Sequence, residues 1–115
     1  MLARGTYLQF LDSDDWLTPD ATESLAEAAR ADDCDLVVAD FYRVNGKRYV
    51  EKKHIKKTHV MTREEFAMEM AEDPADFYYG VMWNKLYRKS ILLEHQIQCD
   101  TSMNWCEDFV LNLQM

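Results

Sequence analysis

The stretch YLQFLDSDDWL, residues 7–17, runs a strand-like apolar segment straight into three carboxylates, Asp12, Asp14 and Asp15, within four positions. Like charges packed this closely repel one another, and burying them adds a desolvation cost. A strand that leads into such a cluster must end at solvent or at a cation. In open α/β sheets, ligands sit beyond the carboxyl ends of strands, and the three aspartates fall at such an end. Hard oxygen ligands suit Mg²⁺ or Mn²⁺, and Mg²⁺ commonly takes one or two protein carboxylates together with phosphate oxygens. The competing reading is a solvated acidic turn in which Asp14 or Asp15 caps the next segment.

The rest of the chain reads as strands alternating with helices. Tyr7–Leu11 is the first strand. Thr18 and Pro19 then supply an N-cap and a proline at the first helical position. The helix that follows sets Ala21, Leu25, Ala28 and Ala29 on one face, with Glu23, Glu27 and Arg30 outside, and ends near Asp32 and Asp33. The valine-rich DLVVADF, residues 35–41, predicts a strand buried on both faces. Asn45-Gly46 lies between two β-prone arms and signals a hairpin, because both residues tolerate positive φ. Lys47, Arg48, Lys52, Lys53, Lys56 and Lys57 follow as a solvated hairpin arm, with a site for an anionic ligand as the alternative. Thr62 to Glu65 (TREE) is a capping box, with Met61 and Phe66 as its hydrophobic staple, opening a helix to about Ala71. Residues 78–95 mix aromatic and basic side chains and end in a short helix near Ser90–His95. Asn104 is placed to cap a last helix, with Glu107 at its third position and Phe109, Val110 and Leu113 as its apolar face. This alternation indicates an α/β layer structure. With 3 Gly and 2 Pro no linker stands out, so residues 1–115 are expected to form one unit.

Charge and composition narrow the partners. Lys plus Arg number 13 against 21 Asp plus Glu, a net charge of −8, so nucleic acid is not an expected partner. No apolar run approaches the roughly 18 residues that span a bilayer, and the N-terminus lacks the pattern of a signal peptide. Cys34, Cys99 and Cys106 are odd in number and lack metal-finger spacing, so reduced thiols in a cytoplasmic protein are expected. His54, His59 and His95 are not spaced like metal ligands and are expected at the surface.

Haloacid-dehalogenase-like phosphatases also place aspartates after an apolar strand. They match at Asp12 and Asp14, but call for a Gly-Thr-like pair where this chain has Asp15-Trp16. A closer resemblance covers essentially the whole chain. ARGTYLQFLDSDDWLTPD (3–20) closely resembles the metal-binding segment of family 2 glycosyltransferases with the glycosyltransferase-A fold. DLVVADF is similar to the strand that follows their next helix. GVMWNKLYRKSIL (80–92) and CEDFVLNL (106–113) resemble their acceptor-side segment and Glu-Asp motif, in the same order.

That resemblance implies transfer of a sugar from a nucleotide-sugar donor to the hydroxyl of a glycan or lipid-linked acceptor, with inversion. Asp12 and Asp14 match the Asp-x-Asp motif, which implies a divalent metal, Mg²⁺ or Mn²⁺, on Asp14, with Asp12 near the metal or the ribose and Asp15 as a further candidate. A leaving diphosphate needs a cation or fixed donors. A hydroxyl nucleophile needs a base. The Glu107-Asp108 pair matches the family's base motif, with Asp108 favoured and Glu107 assigned first to helix capping. Trp83, Asn84, Lys85 and Arg88 are candidate substrate contacts: the indole for a sugar face, the amide for hydroxyls, Lys85 or Arg88 for the diphosphate. Trp83 and Tyr87 could equally be core residues. The family's nucleobase-holding half, with its Pro-Val-Tyr-Asn-like stretch, finds no match here. The expectation is a partial glycosyltransferase-A domain, inactive alone, that forms a homodimer through the sheet edge at Tyr7–Leu11. Action in the cytoplasm, at the inner membrane face, in polysaccharide or lipid-linked glycan synthesis follows from the resemblance alone. A non-catalytic remnant that binds a partner chain or an anionic ligand through the basic hairpin is the alternative.

Overall fold

A computed structural model of the chain describes residues 2–53, 59–72 and 77–115. The elements run in the order β1 (Tyr7–Gln9), α1 (Ala21–Ala31), β2 (Leu36–Val38), β3 (Phe41–Asn45), β4 (Arg48–Lys52), α2 (Arg63–Glu72), α3 (Phe77–Gly80), β5 (Lys85–Arg88), α4 (Lys89–Glu94) and α5 (Glu107–Gln114). The fold class is α/β, as the sequence indicates. His54, Lys56 and Lys57 lie outside the described residues.

The central sheet has the strand order β1-β5-β2, and a separate two-stranded ribbon joins β3 to β4. Both outer strands run antiparallel to β5, so they run parallel to each other. Tyr87 stands between Leu8 and Leu36, and Leu86 between Gln9 and Val37. Successive strand residues point to opposite faces, so this register sorts the two cores. Leu86 joins Tyr7 and Val37 against Leu25 and Ala29 of α1. Tyr87 joins Leu8, Phe10 and Leu36 against Leu92, Ile97 and Leu111. The layers are therefore α1, the sheet, then α4 and α5. Phe66, Met70 and Tyr79 form a third cluster over Leu36, Val38 and Phe41. Each fully buried leucine of this kind contributes about 1.5–3 kcal/mol.

Several boundaries differ from the sequence expectation, each for a local reason. β1 stops at Gln9 rather than Leu11 because β5 begins at Lys85 and offers Leu11 no partner. Residues 35–41 split at Ala39, whose N–H donates to the Asn84 carbonyl at 2.9 Å, and the strand residues Leu36–Val38 are half-buried rather than buried on both faces. Thr18 does not cap α1. Its carbonyl accepts the Ala21 N–H at 3.1 Å in a turn through Pro19, and Asp20 takes the N-cap position without a side-chain bond. In the hairpin Asn45 pairs with Arg48, so the turn is Gly46-Lys47, and Gly46 takes the positive φ, 59°. β5, read only as part of a mixed aromatic and basic stretch, is the middle strand of the sheet.

The Thr62–Glu65 capping box forms as expected. Thr62 N–H donates to Glu65 Oε2 at 2.7 Å, Glu65 N–H donates to Thr62 Oγ1 at 3.2 Å, and Met61 packs on the Phe66 cluster. The Asn104 cap does not form. Asn104 is exposed, α5 starts at Glu107, and Cys106 precedes it in the left-handed region at φ 63°. Leu113 is exposed, while Leu111 and Asn112 face inward. His59 and His95 are exposed, and the three cysteines are free thiols. No helix among the described residues is long and apolar enough to cross a membrane.

Candidate functional site

Beyond β1 the chain turns over its acidic cluster, with the Asp15 N–H donating to the Asp12 carbonyl at 3.1 Å. This turn sets Asp14, Asp15 and Trp16 on one wall of a pocket of about 830 Å³ at the carboxyl ends of β1 and β2. Tyr42, Arg43 and Val44 of β3 line the pocket too, as do Trp83 and Asn84. The Asp15 carboxyl titrates above its ordinary value, through partial desolvation first and the charges of Asp14 and Asp12 second. Asp12 does not line the pocket. Its charge reaches Asp108, where it raises the carboxyl pKa.

Asp108 is half-buried at the second position of α5, and its Oδ2 accepts the Met82 N–H at 3.3 Å. Burial raises its pKa above the usual carboxylate value. The Met82 hydrogen bond opposes that rise, Glu107 and Asp12 add to it, and Lys85 opposes it. Glu107 is the first residue of the helix, where the peptide dipoles favour negative charge.

A buried polar network holds Asp108 in this place. Asn112, one helical turn on, donates from Nδ2 to the Gly80 carbonyl at 2.8 Å and to the Asp108 carbonyl at 2.9 Å. Its Oδ1 accepts the Tyr87 hydroxyl at 2.7 Å. A Cβ on Gly80 would stand 3.2 Å from the Phe109 ring, so glycine permits this close approach of α3 to α5. Lys85 is fully buried, and its Nζ donates to the Val81 carbonyl and, at 2.8 Å, to Asn84 Oδ1. Burial lowers its pKa to about 7, with Asp108 pulling the other way. The turn that presents the Met82 N–H is thus tied from both sides. Two hydrogen-bonded side chains fix it, and an unsatisfied partner in such a buried network would cost about 1–3 kcal/mol.

The structure brings Asp14, Asp15, Trp83 and Asn84 to one pocket, with Asp12, Asp108, Glu107 and Lys85 around its end of the sheet. Trp83 is both core and wall: it meets Phe41 edge-on at 4.7 Å and is only half-buried. The Asn84 amide is engaged in the scaffold, donating to the Ala39 carbonyl at 3.2 Å and accepting from Lys85. Tyr87 belongs to the core. Arg88 is not brought to this end. β5 runs opposite to β1 and β2, so Lys85 lies at their carboxyl ends and Arg88 at their amino ends, about 10 Å away along the strand. There Arg88 donates to Asp33 at 2.6 Å and to the Cys34 carbonyl at 3.0 Å, and its guanidinium lies over the Tyr7 ring. Its Nε is 2.8 Å from an Asp35 carboxylate oxygen, an ion pair whose angle falls short of a hydrogen bond. Arg88 therefore clamps the turn between α1 and β2.

Sequence reading missed Trp16, Tyr42, Arg43 and Asn112. An exposed tryptophan directly after an acidic cluster was a usable sign for the first. Asn112 was legible as a polar residue four places after Asp108, on the same helix face. Nothing local marks Tyr42 and Arg43, since the hairpin becomes a pocket wall only through its tertiary position. Among the described residues, no group of three or more His, Cys, Asp or Glu side chains converges into a metal-ion site.

The model of the family described as glycosyl transferase family 2 matches residues 1–95. Two relatives from Bacillus subtilis (strain 168) align with most of the chain. "Uncharacterized glycosyltransferase EpsJ" is 27% identical over 113 residues, 96% of this chain and 33% of the relative. "Putative glycosyltransferase EpsH" is 29% identical over 104 residues, 83% of this chain and 27% of the relative. The chain thus spans about a third of the length of the curated relatives it matches. No solved structure gives a significant match. The acidic turn, the strand after α1 and the Trp83–Arg88 segment all fall inside the matched region, and the chain belongs to glycosyl transferase family 2.

Proposed function

We propose that this segment serves transfer of a sugar from a nucleotide-sugar donor to the hydroxyl of a glycan or lipid-linked acceptor, with inversion at the sugar carbon. The observation that carries the reading is the joint placement of Asp14 and Asp15 in the pocket and of Asp108 at the same end of the sheet, within electrostatic reach of Asp12. Asp108 is the base for the acceptor hydroxyl: a carboxylate whose pKa is raised is a better proton acceptor. Glu107 supports it through charge. Trp83 offers its face to a sugar ring, and Asn84 and Lys85 act through the scaffold.

The carboxylate oxygens at Asp14, with Asp12 or Asp15, have the hard-ligand chemistry of a Mg²⁺ or Mn²⁺ site. Mg²⁺ commonly takes only one or two protein carboxylates together with phosphate oxygens, so the donor's diphosphate would complete the coordination. Such an ion supplies positive charge against the developing diphosphate. Replacing Asp14 by Asn is expected to weaken Mn²⁺ binding at least tenfold, about 1.4 kcal/mol. Isothermal calorimetry with Mn²⁺, with and without a nucleoside diphosphate, tests it. Identical affinities in the two proteins would remove Asp14 from the site.

The outer edge of β1 pairs with no strand among the described residues. Unpaired strand edges favour association with another chain. Light scattering of the 115-residue chain is expected to give about twice the chain mass, and a strictly monomeric solution would count against edge pairing.

A further inference from the structure

Charge is distributed very unevenly along this molecule. Residues 41–53, covering β3, the turn and β4, hold five basic side chains against the single carboxylate Glu51, in a chain whose net charge is −8. The cross-strand register sorts them by face. Arg43 opposes Val50, Asn45 opposes Arg48, and Phe41 opposes Lys52. Directly opposed residues share a face, and alternate residues along a strand share it too. One face of the ribbon therefore gathers Arg43, Arg48 and Lys52 around Val50, with Lys47 at the turn. The other carries Tyr42, Val44 and Tyr49.

Every residue of β4 is exposed, as are residues 42–45 of β3. Val50 is 51% exposed and Tyr49 62%. Trp16, 54% exposed, meets the Tyr49 ring edge-on at 6.2 Å, extending the aromatic surface toward the pocket. Arg43, Lys47, Arg48 and Lys52 make no ion pair with any described residue, whereas Lys53 is held by Glu51 at 3.2 Å. Among the described residues, these cations are thus left without an ion-pair partner in a chain rich in acids.

We propose that this hairpin docks the protein onto an anionic phospholipid surface, with Arg43, Lys47, Arg48 and Lys52 over the headgroup phosphates and Val50, on the same face, in the interface. Clustered Lys and Arg side chains are attracted to anionic leaflets. Val50, half exposed among these cations, supplies apolar contact to the boundary layer. The acids elsewhere on the chain do not cancel this attraction, because charges more than about 8 Å apart are largely screened at physiological salt. Nucleic acid is the competing polyanion, and the exposed apolar Val50 set among the cations suits a lipid interface better than a phosphate backbone. The docked orientation would bring the pocket, which shares Tyr42, Arg43 and Val44 with the hairpin, beside the lipid surface.

Vesicle sedimentation with the 115-residue chain tests this without donor, acceptor or metal, so its failure leaves the assignments of Asp14 and Asp108 untouched. The chain should bind vesicles of mixed phosphatidylglycerol and phosphatidylcholine, and not vesicles of phosphatidylcholine alone. The double change Arg48→Gln with Lys52→Gln should weaken partitioning roughly 30-fold, and about 0.5 M NaCl should weaken it as well. Val50→Ser should weaken it with the salt dependence kept. These side chains are exposed, and circular dichroism checks that the variants fold. Failure to bind anionic vesicles, equal binding to neutral ones, or unchanged partitioning of the double variant would overturn the proposal. So would stronger binding to a DNA duplex, or displacement by inorganic phosphate beyond that of NaCl at equal ionic strength.

Discussion

Asp108→Asn is expected to lower turnover roughly 100-fold or more while leaving donor affinity nearly unchanged. The substitution keeps the shape of the side chain and an oxygen that can still accept the Met82 N–H. It removes the ability to take a proton. A base acts on the acceptor hydroxyl as the new bond forms, so its loss appears in kcat rather than in ground-state binding of the donor. The assay belongs in the chain, or in the longer protein that carries it, wherever the unaltered protein transfers sugar. The pH profile supplies a second readout. Burial, Glu107 and Asp12 raise the Asp108 pKa, so the acid limb of kcat/KM should fall at a pH above the ordinary aspartate range. Near-normal turnover in the variant would move the role to Glu107 or off α5 altogether.

The two kinds of residue around Asp108 differ in how far sequence could reveal them. The acidic turn was legible because its signal is local: a strand-like run ending in like charges needs an outlet whatever the fold. The TREE capping box was legible for the same reason, since both its hydrogen bonds close within four residues. The α5 cap was not. The Asn104 pattern is a sound local signal, but the helix start is decided by tertiary partners. Tyr87 and the Gly80 carbonyl both bond Asn112, and this fixes which face turns inward and leaves Leu113 outside. Arg88 shows the same limit from the other direction. A basic residue three places after Lys85 looks equally able to reach a diphosphate, until the antiparallel course of β5 carries it to the opposite end of the sheet. The hairpin was read correctly as a ribbon, yet its contribution to the pocket wall depends on where Ala39 is anchored by Asn84.

Lys85 carries the second large effect, and it concerns stability. In the unfolded chain a lysine titrates near 10.4. In the folded protein burial lowers it to about 7, with Asp108 opposing. Between these values the unfolded chain binds a proton that the folded protein has released, so stability rises with pH across that window. Below about 7 both states hold the proton, and the full cost of burying the charge is present. Lys85→Met removes the titration while keeping similar length and volume. The stability difference, native protein minus variant, should therefore climb from neutral pH toward pH ~10, by an amount on the order of a few kcal/mol at most. Taking the difference matters, because burial also raises the thiol pKa values of Cys34 and Cys99, and these groups titrate alike in both proteins. Urea unfolding of both proteins at several pH values measures it. A flat difference would mean that Lys85 keeps an ordinary pKa in the folded state and that its bonds to Val81 and Asn84 fully compensate its burial. A rising one would mean that the turn presenting Met82 to Asp108 is fastened by a lysine that is only partly charged at neutral pH. The same fastening then couples the protonation of Lys85 to the basicity of Asp108, since each carboxylate charge favours the ammonium and each ammonium lowers the carboxyl pKa.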